Sequence, residues 1–413
     1  MTAQSVEQTL DTVFRMESAR IIATVARIVR DVGIAEEIAQ DALVAALEQW
    51  PRTGVPDRPG AWLTATAKHR AVDLVRRRET YARKLAEVGR ELTDTAYDPE
   101  PSGPGDIDDD VLRLVFTTCH PVLSAEARTA LTLRLLGGLR TDEIARAFLV
   151  PEPTVAARVT RAKRTLARSG VAFEVPYGED RAARLGSVLE VIYLIFNEGY
   201  AATAGDDLLR PALCEDALRL ARVLAALMPR EGEVHGLAAL LEIQASRTAA
   251  RTGPDGQPVL LADQDRRRWD RLLIRRGYAA LGRAVEEGGA TGPYALQAAI
   301  AACHARAARY EETDWATIAA LYGRLAAVAP SPVVELNRAV AVSMAEGPEA
   351  GLALVDALAA APALARYHLL PSVRGDLLAR LGREEEARAE FARAAELTRN
   401  ERERALLRRR AAG

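Results

Sequence analysis

The sequence predicts an all-α protein. Two small helical domains, the second a helix-turn-helix, are joined by an acidic linker and followed by a long tail of helical hairpins. Three observations carry this reading. Alanine and leucine dominate and aromatic residues make up only 5%, a composition that favours packed helices. Apolar residues recur at helical rather than alternating spacing; Val155, Val159, Ala162 and Leu166, at i, i+4, i+7 and i+11, are the clearest case. Local charge swings sharply along the chain although the net charge is only −2.

At 413 residues the chain exceeds one ordinary domain, and two or three are expected. Its three cysteines, Cys119, Cys214 and Cys303, are scattered and odd in number, which suits a reducing compartment and gives no disulfide framework. The first residues include acids and lack a basic segment with an apolar core, so no signal peptide is read. The most apolar run, 188–196, contains Glu190 and is far too short to span a bilayer. A soluble, cytoplasmic protein without membrane association is expected.

The first domain is placed at residues 1–90. Residues 6–30 show helical periodicity through Val13, Phe14, Glu17, Ile21 and Val25, and Asp31-Val32-Gly33 reads as the stop. A second helix is expected over 35–50. Glu37, Gln40, Asp41 and Glu48 lie along one side of it, and Ile38, Ala42, Leu43, Ala46 and Leu47 largely along the other. Residues 51–60 hold three prolines and two glycines and are expected to form a stiff loop, neither helix nor strand. A third helix over 61–78 places Thr66, His69, Arg70, Asp73, Arg76 and Arg77 on one face and Ala67, Ala71, Leu74 and Val75 on the other. Trp62 stands at its start. From Lys68 to Lys84 seven Lys and Arg face two acids, an electrostatic footprint for nucleic acid.

The sign then reverses. Residues 91–110 contain eight acids and no Lys or Arg, with prolines and glycines among them, and read as an extended linker. Fully extended, twenty residues reach about 70 Å.

Helical periodicity returns over 111–136 and opens the second domain, 111–172, with Ser124 as a helix N-cap. Gly137-Gly138 breaks that helix. Thr141 suits an N-cap, followed by a short helix over 142–148 whose Asp142 and Glu143 match the positive end of the helix dipole. Val150-Pro151-Glu152-Pro153 forces a turn, and a second helix is expected from Pro153 or Thr154 to Arg168. Thr154, Arg158, Arg161 and Thr165 share its outer face, flanked by Lys163, Arg164 and Arg168. A short helix, a tight turn and a second helix with a basic outer face form the geometry that reads the DNA major groove.

The tail, 173–413, is a series of Ala/Leu-rich helices. Gly375, Gly382, Ala387, Phe391 and Ala394 match the small and aromatic positions of a tetratricopeptide helix pair. Residues 331–358 read as a degenerate earlier copy, since Gly347 lies 35 residues before Gly382. Cys119-His120 and Cys303-His304 have no ligand spacing around them, so no metal is expected, and no phosphate-binding glycine loop is present. The segment 197–200 with Arg210-Pro211 reads as a helix–loop junction, and the arginines around Trp269 as a solvated helix start.

Three stretches together, AEEIAQDALVAALEQW, GAWLTATAKHRAVDLVRRR and LTLRLLGGLRTDEIARAFLVPEPTVAARVTRAKRTL, with the acidic linker before the third, resemble a bacterial extracytoplasmic-function sigma factor of the sigma-70 family. The resemblance covers roughly residues 8–170. The whole chain, with SVLEVIYLIFNEGYAATAGDD and its helical tail, resembles the subgroup with a long tetratricopeptide-like C-terminal extension.

The resemblance implies core RNA polymerase and promoter DNA as partners, with no cofactor and no catalytic centre. It implies that the helix over 35–50 binds the polymerase clamp through Glu37, Gln40 and Asp41. The helix over 61–78 would read and melt the minus-10 element, with Lys68, His69, Arg70, Asp73, Arg76 and Arg77 at the DNA. His69 and Asp73 stand where relatives often place Asn; Asp73, an acceptor only, would favour a donor such as cytosine N4. The loop over 52–60 corresponds to the one that pockets a flipped base. The helix over 154–168 would read the minus-35 element. There Thr154, Ala157 and Arg158 would face bases, and Arg161, Lys163 and Arg164 phosphates, with Thr141 counted among the DNA contacts. A linker reach of about 70 Å spans a promoter spacer of roughly 58 Å.

Two other readings stay open on residues alone. One is a stand-alone helix-turn-helix activator with a helical domain that senses a protein or small molecule; it leaves the basic helix over 61–78 unexplained. The other is an enzyme in the tail with Glu198 as acid or base. In the sigma reading the tail would regulate initiation, either by occluding the DNA-binding surfaces or by docking on polymerase or on a protein or small-molecule effector.

Overall fold

A computed structural model describes residues 3–88, 104–148, 150–202, 204–205, 208–254 and 256–413; among them eighteen α-helices form nearly all the regular structure. The chain divides into two compact units, Met1–Ile192 and Tyr193–Gly413.

The first unit opens with α1 (Ala3–Val29), α2 (Val32–Thr53) and α3 (Pro59–Val88). They meet through Ile21, Val25, Ala35, Ala39, Ala42, Leu63, Ala67 and Ala71, all buried. Small side chains at these contacts let the helix axes approach closely. Asp31 is not the stop of α1. That helix ends at Val29, Arg30 takes a left-handed φ of 55°, and Asp31 is the N-cap of α2. Its Oδ1 accepts the N–H groups of Gly33 at 2.7 Å and Ile34 at 3.0 Å, satisfying donors that an open helix end leaves free.

The expected loop over 51–60 is shorter than its composition implied. Pro51 to Thr53 complete α2, and Pro59 and Gly60 open α3, where proline's missing N–H costs nothing. Gly54, at φ 84°, ends α2 by donating its N–H to the Trp50 carbonyl at 2.9 Å.

Most of the linker, 91–103, lies outside the described residues. Its last seven positions belong to α4 (Pro104–Thr118). Asp110 is fully buried there between Arg27 of α1 and Arg113, so the final acid of the run is neutralised rather than solvated.

The periodicity over 111–136 divides into α4 and α5 (Ala125–Leu135), parted at Pro121; Ser124 caps α5 by accepting the Ala127 N–H. Gly138, at φ 71°, turns the chain into α6 (Thr141–Phe148), and α7 follows (Glu152–Arg168). Thr141 is the first residue of α6, not its cap. The N–H of Arg140, one residue earlier, donates to Glu143 Oε2 at 2.8 Å. The stripe Val155, Val159, Ala162 and Leu166 is buried as its spacing requires.

The tail begins later than residue 173. The first turns of α8 (Gly178–Tyr200) pack within the first unit: Ser187 Oγ donates to the Cys119 carbonyl at 2.6 Å, and Arg184 lies 5.9 Å from the centre of the Phe116 ring.

In the second unit α9 (Pro211–Leu227) and α10 (Gly232–Ala245) are followed by α11 (Arg271–Glu286) and α12 (Pro293–Arg306), both packed on α10, which is buried along almost its whole length. Helices α13 (Trp315–Val328), α14 (Pro332–Ala345), α15 (Pro348–Leu358), α16 (Leu369–Arg380), α17 (Glu384–Leu397) and α18 (Glu401–Ala412) then each pack on their sequence neighbours. The anticipated repeats are the hairpins α14–α15 and α16–α17. In the second, Gly382 turns at φ 75°, and Ala387, Phe391 and Ala394 are buried.

A contact between distant segments closes the unit. A two-residue parallel pairing joins β1 (Ala204–Gly205) to β2 (Arg399–Asn400), and buried Asn400 donates Nδ2 to the Ala202 carbonyl at 3.1 Å. The last helix is thereby tied to the start of its own unit. Among the described residues no helix is long and apolar enough to cross a membrane.

Candidate nucleic-acid interface

The helix-turn-helix is held from behind by the buried side chains of α7 with Ile144 and Ala145 of α6. Outward, α7 presents Ala157, Arg161 and Arg164, all exposed, while Thr154 and Arg158 are half-buried near its N-terminal end and Thr141 is half-buried on α6. Small Ala157 beside two arginines that make no ion pair among the described residues permits close approach of a polyanion. Lys163 does not share that face. Its ammonium is ion-paired with Glu36 of α2, whose side chain is only 5% exposed.

Glu36 is the residue on which the two halves of this unit converge. Arg134 of α5 donates Nε to Glu36 Oε1 at 2.6 Å, and Gln40 donates Nε2 to the same oxygen at 2.9 Å. Nearby, Asp110 Oδ2 accepts from Arg27 Nε at 2.9 Å and its Oδ1 from Arg113 at 2.6 Å. Burial pushes the Asp110 carboxyl up from its ordinary value, against the opposing pull of Arg27 and Arg113. Neither cluster was legible in sequence: Glu36 and Arg134 are 98 residues apart and Arg27 and Asp110 are 83 apart.

On α3, His69, Arg70, Asp73, Arg76 and Arg77 are exposed and Lys68 is half-buried. Arg70 is bridged to Asp41 of α2 at 3.4 Å. A groove of about 660 Å³ runs between α1 and the start of α3, with Glu17, Arg20, Arg58, Thr64 and Lys68 in its walls. Its floor requires Gly60, where a Cβ would stand 2.9 Å from Glu17 Cγ. Trp62 is half-buried and meets buried Trp50 edge-on, with ring centres 5.5 Å apart, so it braces the loop from the core side.

The outer face of α2 carries Glu37, Asp41 and Glu48, all exposed; Gln40 is half-buried. Leu47 was assigned to the buried side, but it is 41% exposed, and Val44 beside it is 52% exposed. One helical step from Ala46, a residue points about 100° away, which carries Leu47 off the buried stripe. Val44 and Leu47 thus stand uncovered among Glu37, Asp41 and Glu48.

The remaining constellations are structural. Cys119 is buried with Sγ 3.4 Å from Thr132 Oγ1, and burial pushes its thiol up. His304 stacks edge-on against Trp315, ring centres 5.2 Å apart, and burial together with Arg247 and Arg266 lowers its imidazole to about 4. Among the described residues no group of three or more His, Cys, Asp or Glu could hold a metal ion. Glu198, 11% exposed, is ion-paired with Arg210, whose N–H also donates to the Gly199 carbonyl at 2.7 Å, so the pair fixes the loop after α8.

Fold and site together define an all-helical DNA-binding protein with a helix-turn-helix and a second, separate basic helix. Comparison with known proteins sharpens this. Residues 13–80 match Sigma-70 region 2 and residues 113–166 match Sigma-70 region 4; residues 184–285 match a family of unknown function, DUF6596. The chain is 30% identical over 151 residues to the ECF RNA polymerase sigma factor SigK of Mycobacterium ulcerans, covering 36% of this chain and 78% of that protein. It is 31% identical over 141 residues to SigL of Mycobacterium tuberculosis, covering 34% and 76%. It is 46% identical over 387 residues to an uncharacterized protein of Rhizobium meliloti, covering 92% and 90%. No solved structure matches. The chain belongs to the ECF RNA polymerase sigma factors of the sigma-70 family, with a DUF6596 helical extension. Its role as a sigma factor is therefore to direct transcription initiation, which is not an enzymatic role, and the reading as a stand-alone activator falls.

Proposed function

We propose that this chain grips a promoter at two points and that its C-terminal unit governs when the grip forms. Helix α3 with the groove beside Gly60 takes the minus-10 element, and the exposed face of α7, led by Arg161 and Arg164, takes the minus-35 element. Glu37, Asp41, Val44 and Leu47 on α2 dock on core polymerase, which places the protein in the cytoplasm. The observation that carries the reading is the pairing of Lys163 with buried Glu36. It occupies a recognition-helix cation with a carboxylate of the polymerase-facing helix, so the two halves are in contact with each other in this state. A spacer of roughly 58 Å between promoter elements requires them to separate. Polymerase binding at α2 and DNA binding at α7 both favour that separation, which couples the two events.

In-vitro transcription with purified core polymerase tests this. The full chain is expected to initiate from the promoter of its own operon. Leu47→Arg is expected to lose core binding, and Arg161→Ala with Arg164→Ala to lose promoter selection while keeping core binding. Failure of the wild-type chain to direct initiation from any promoter refutes the promoter roles given to α3 and α7.

A further inference from the structure

In the C-terminal unit several arginines are matched by carboxylates. Arg374 lies between Asp356 and Glu390, Arg383 pairs with Glu386, Arg404 with Glu401, and Arg410 with Asp376. Helix α11 takes part in none of these pairs. Arg268 just before it and Arg271, Arg275, Arg276 and Arg283 on it are all exposed, and none makes an ion pair among the described residues. Beyond its N-cap Asp270, which accepts the N–H groups of Leu272 and Leu273, the helix has no acid in its first turn and carries three arginines in its first two. Cations at that end are unfavourable against the helix dipole. Such an arrangement suits a partner that brings dense negative charge.

The face is held rigidly. Ile274, Gly277, Ala280 and Ala284 are buried, and a Cβ on Gly277 would overlap Ile243 of α10, so α11 lies flush on its neighbour and its opposite side is fixed outward. At the middle of that side are Ala279 and Gly282, flanked by the arginines, and a Cβ at Gly282 would meet nothing. The exposed face of α7, with Ala157 among arginines, has the same design.

We infer that the arginine face of α11 binds the phosphate backbone of duplex DNA, giving the C-terminal unit a DNA contact of its own. Arg271 to Arg283 extend along about 18 Å of helix. A duplex offers on the order of ten phosphate charges over that length, a density that an acidic protein surface seldom reaches. The contact is sequence-independent, because arginines flanking small residues on one exposed helix supply phosphate partners and few base-reading groups. It does not depend on the promoter roles given to α3 and α7.

The test uses the full chain and a labelled 40-base-pair duplex of arbitrary sequence, with fluorescence anisotropy across a salt series. Arg271→Ala/Arg275→Ala/Arg276→Ala is expected to weaken binding about tenfold or more at low salt. The log–log salt slope should become shallower by about 2.7, at ~0.9 per phosphate released. Circular dichroism checks that the fold is kept, and the matching triple lysine variant is expected to hold affinity within about threefold of wild type. Unchanged affinity and slope in the alanine variant overturn the proposal. So does a lysine variant as weak as the alanine one. So does loss of core-polymerase binding with DNA binding intact, which would assign the face to an acidic protein surface instead.

Discussion

Arg134 Nε donates to Glu36 Oε1 at 2.6 Å, joining α5 to α2 across 98 residues of sequence. Glu36 is only 4% exposed and also receives Lys163 from the recognition helix. A carboxylate this deeply buried persists because two cations and Gln40 surround it.

Removing that carboxylate strands Arg134 and Lys163. Glu36→Ala is expected to destabilise the first unit by about 3 kcal/mol, the scale of breaking a buried pair. Glu36→Gln should cost less, since it still accepts hydrogen bonds. Urea denaturation followed by circular dichroism checks this; a Glu36→Ala midpoint equal to that of wild type removes Glu36 as the junction.

The exposed arginines of α7 should act additively on DNA. Arg161→Ala and Arg164→Ala together are expected to make the salt dependence of promoter binding by the holoenzyme shallower by about 2, at ~0.9 per phosphate contact. Lys163→Ala should change the slope less if Glu36 keeps it in the bound state. An equal change from Lys163→Ala shows that it transfers from Glu36 to a phosphate.

The hairpin α16–α17 depends on a missing methyl. A Cβ at Gly375 would lie 2.8 Å from Cε1 of Phe391, a buried ring. Gly375→Ala is expected to cost about 1–3 kcal/mol by overpacking, and Phe391→Leu in the same chain should recover part of it. Thermal unfolding reads both; an unchanged melting temperature for Gly375→Ala contradicts the close packing.

His304 predicts an acid limit on the second unit. Burial, with Arg247 and Arg266 nearby, lowers its imidazole to about 4, whereas an unfolded side chain titrates near 6.5. Between those values the unfolded chain binds a proton that the folded chain does not, so stability falls as pH drops from about 6.5 and this contribution levels off below about 4. The total is about 3 kcal/mol. His304→Asn should flatten that part of the profile, as measured by urea midpoints from pH 4 to 7. A variant profile parallel to wild type means His304 is not the group responsible.

Much of the candidate site was legible because its signals are local. The stripe through Val155 and Leu166 follows from helical period, and the exposure of Arg161 and Arg164 follows from lying off it. Asp31 was misread because an acid between two helices can end one or begin the next, and only the positive φ of Arg30 separates the cases. The extent of α2 was misjudged at Pro51, where proline's backbone constraint argued for a loop but the helix's last turn tolerated it.

By itself, the sequence determined the all-helical class, the order of the two sigma regions, and most of the exposed face of each basic helix. These follow from period, capping residues and charge within a few turns of chain. Tertiary structure alone decided that Lys163 turns to Glu36, that Asp110 leaves the linker for the core, and that Asn400 closes onto Ala202. Such contacts form where burial strengthens charge pairing and penalises any polar group left unmatched, and those conditions depend on packing between distant segments.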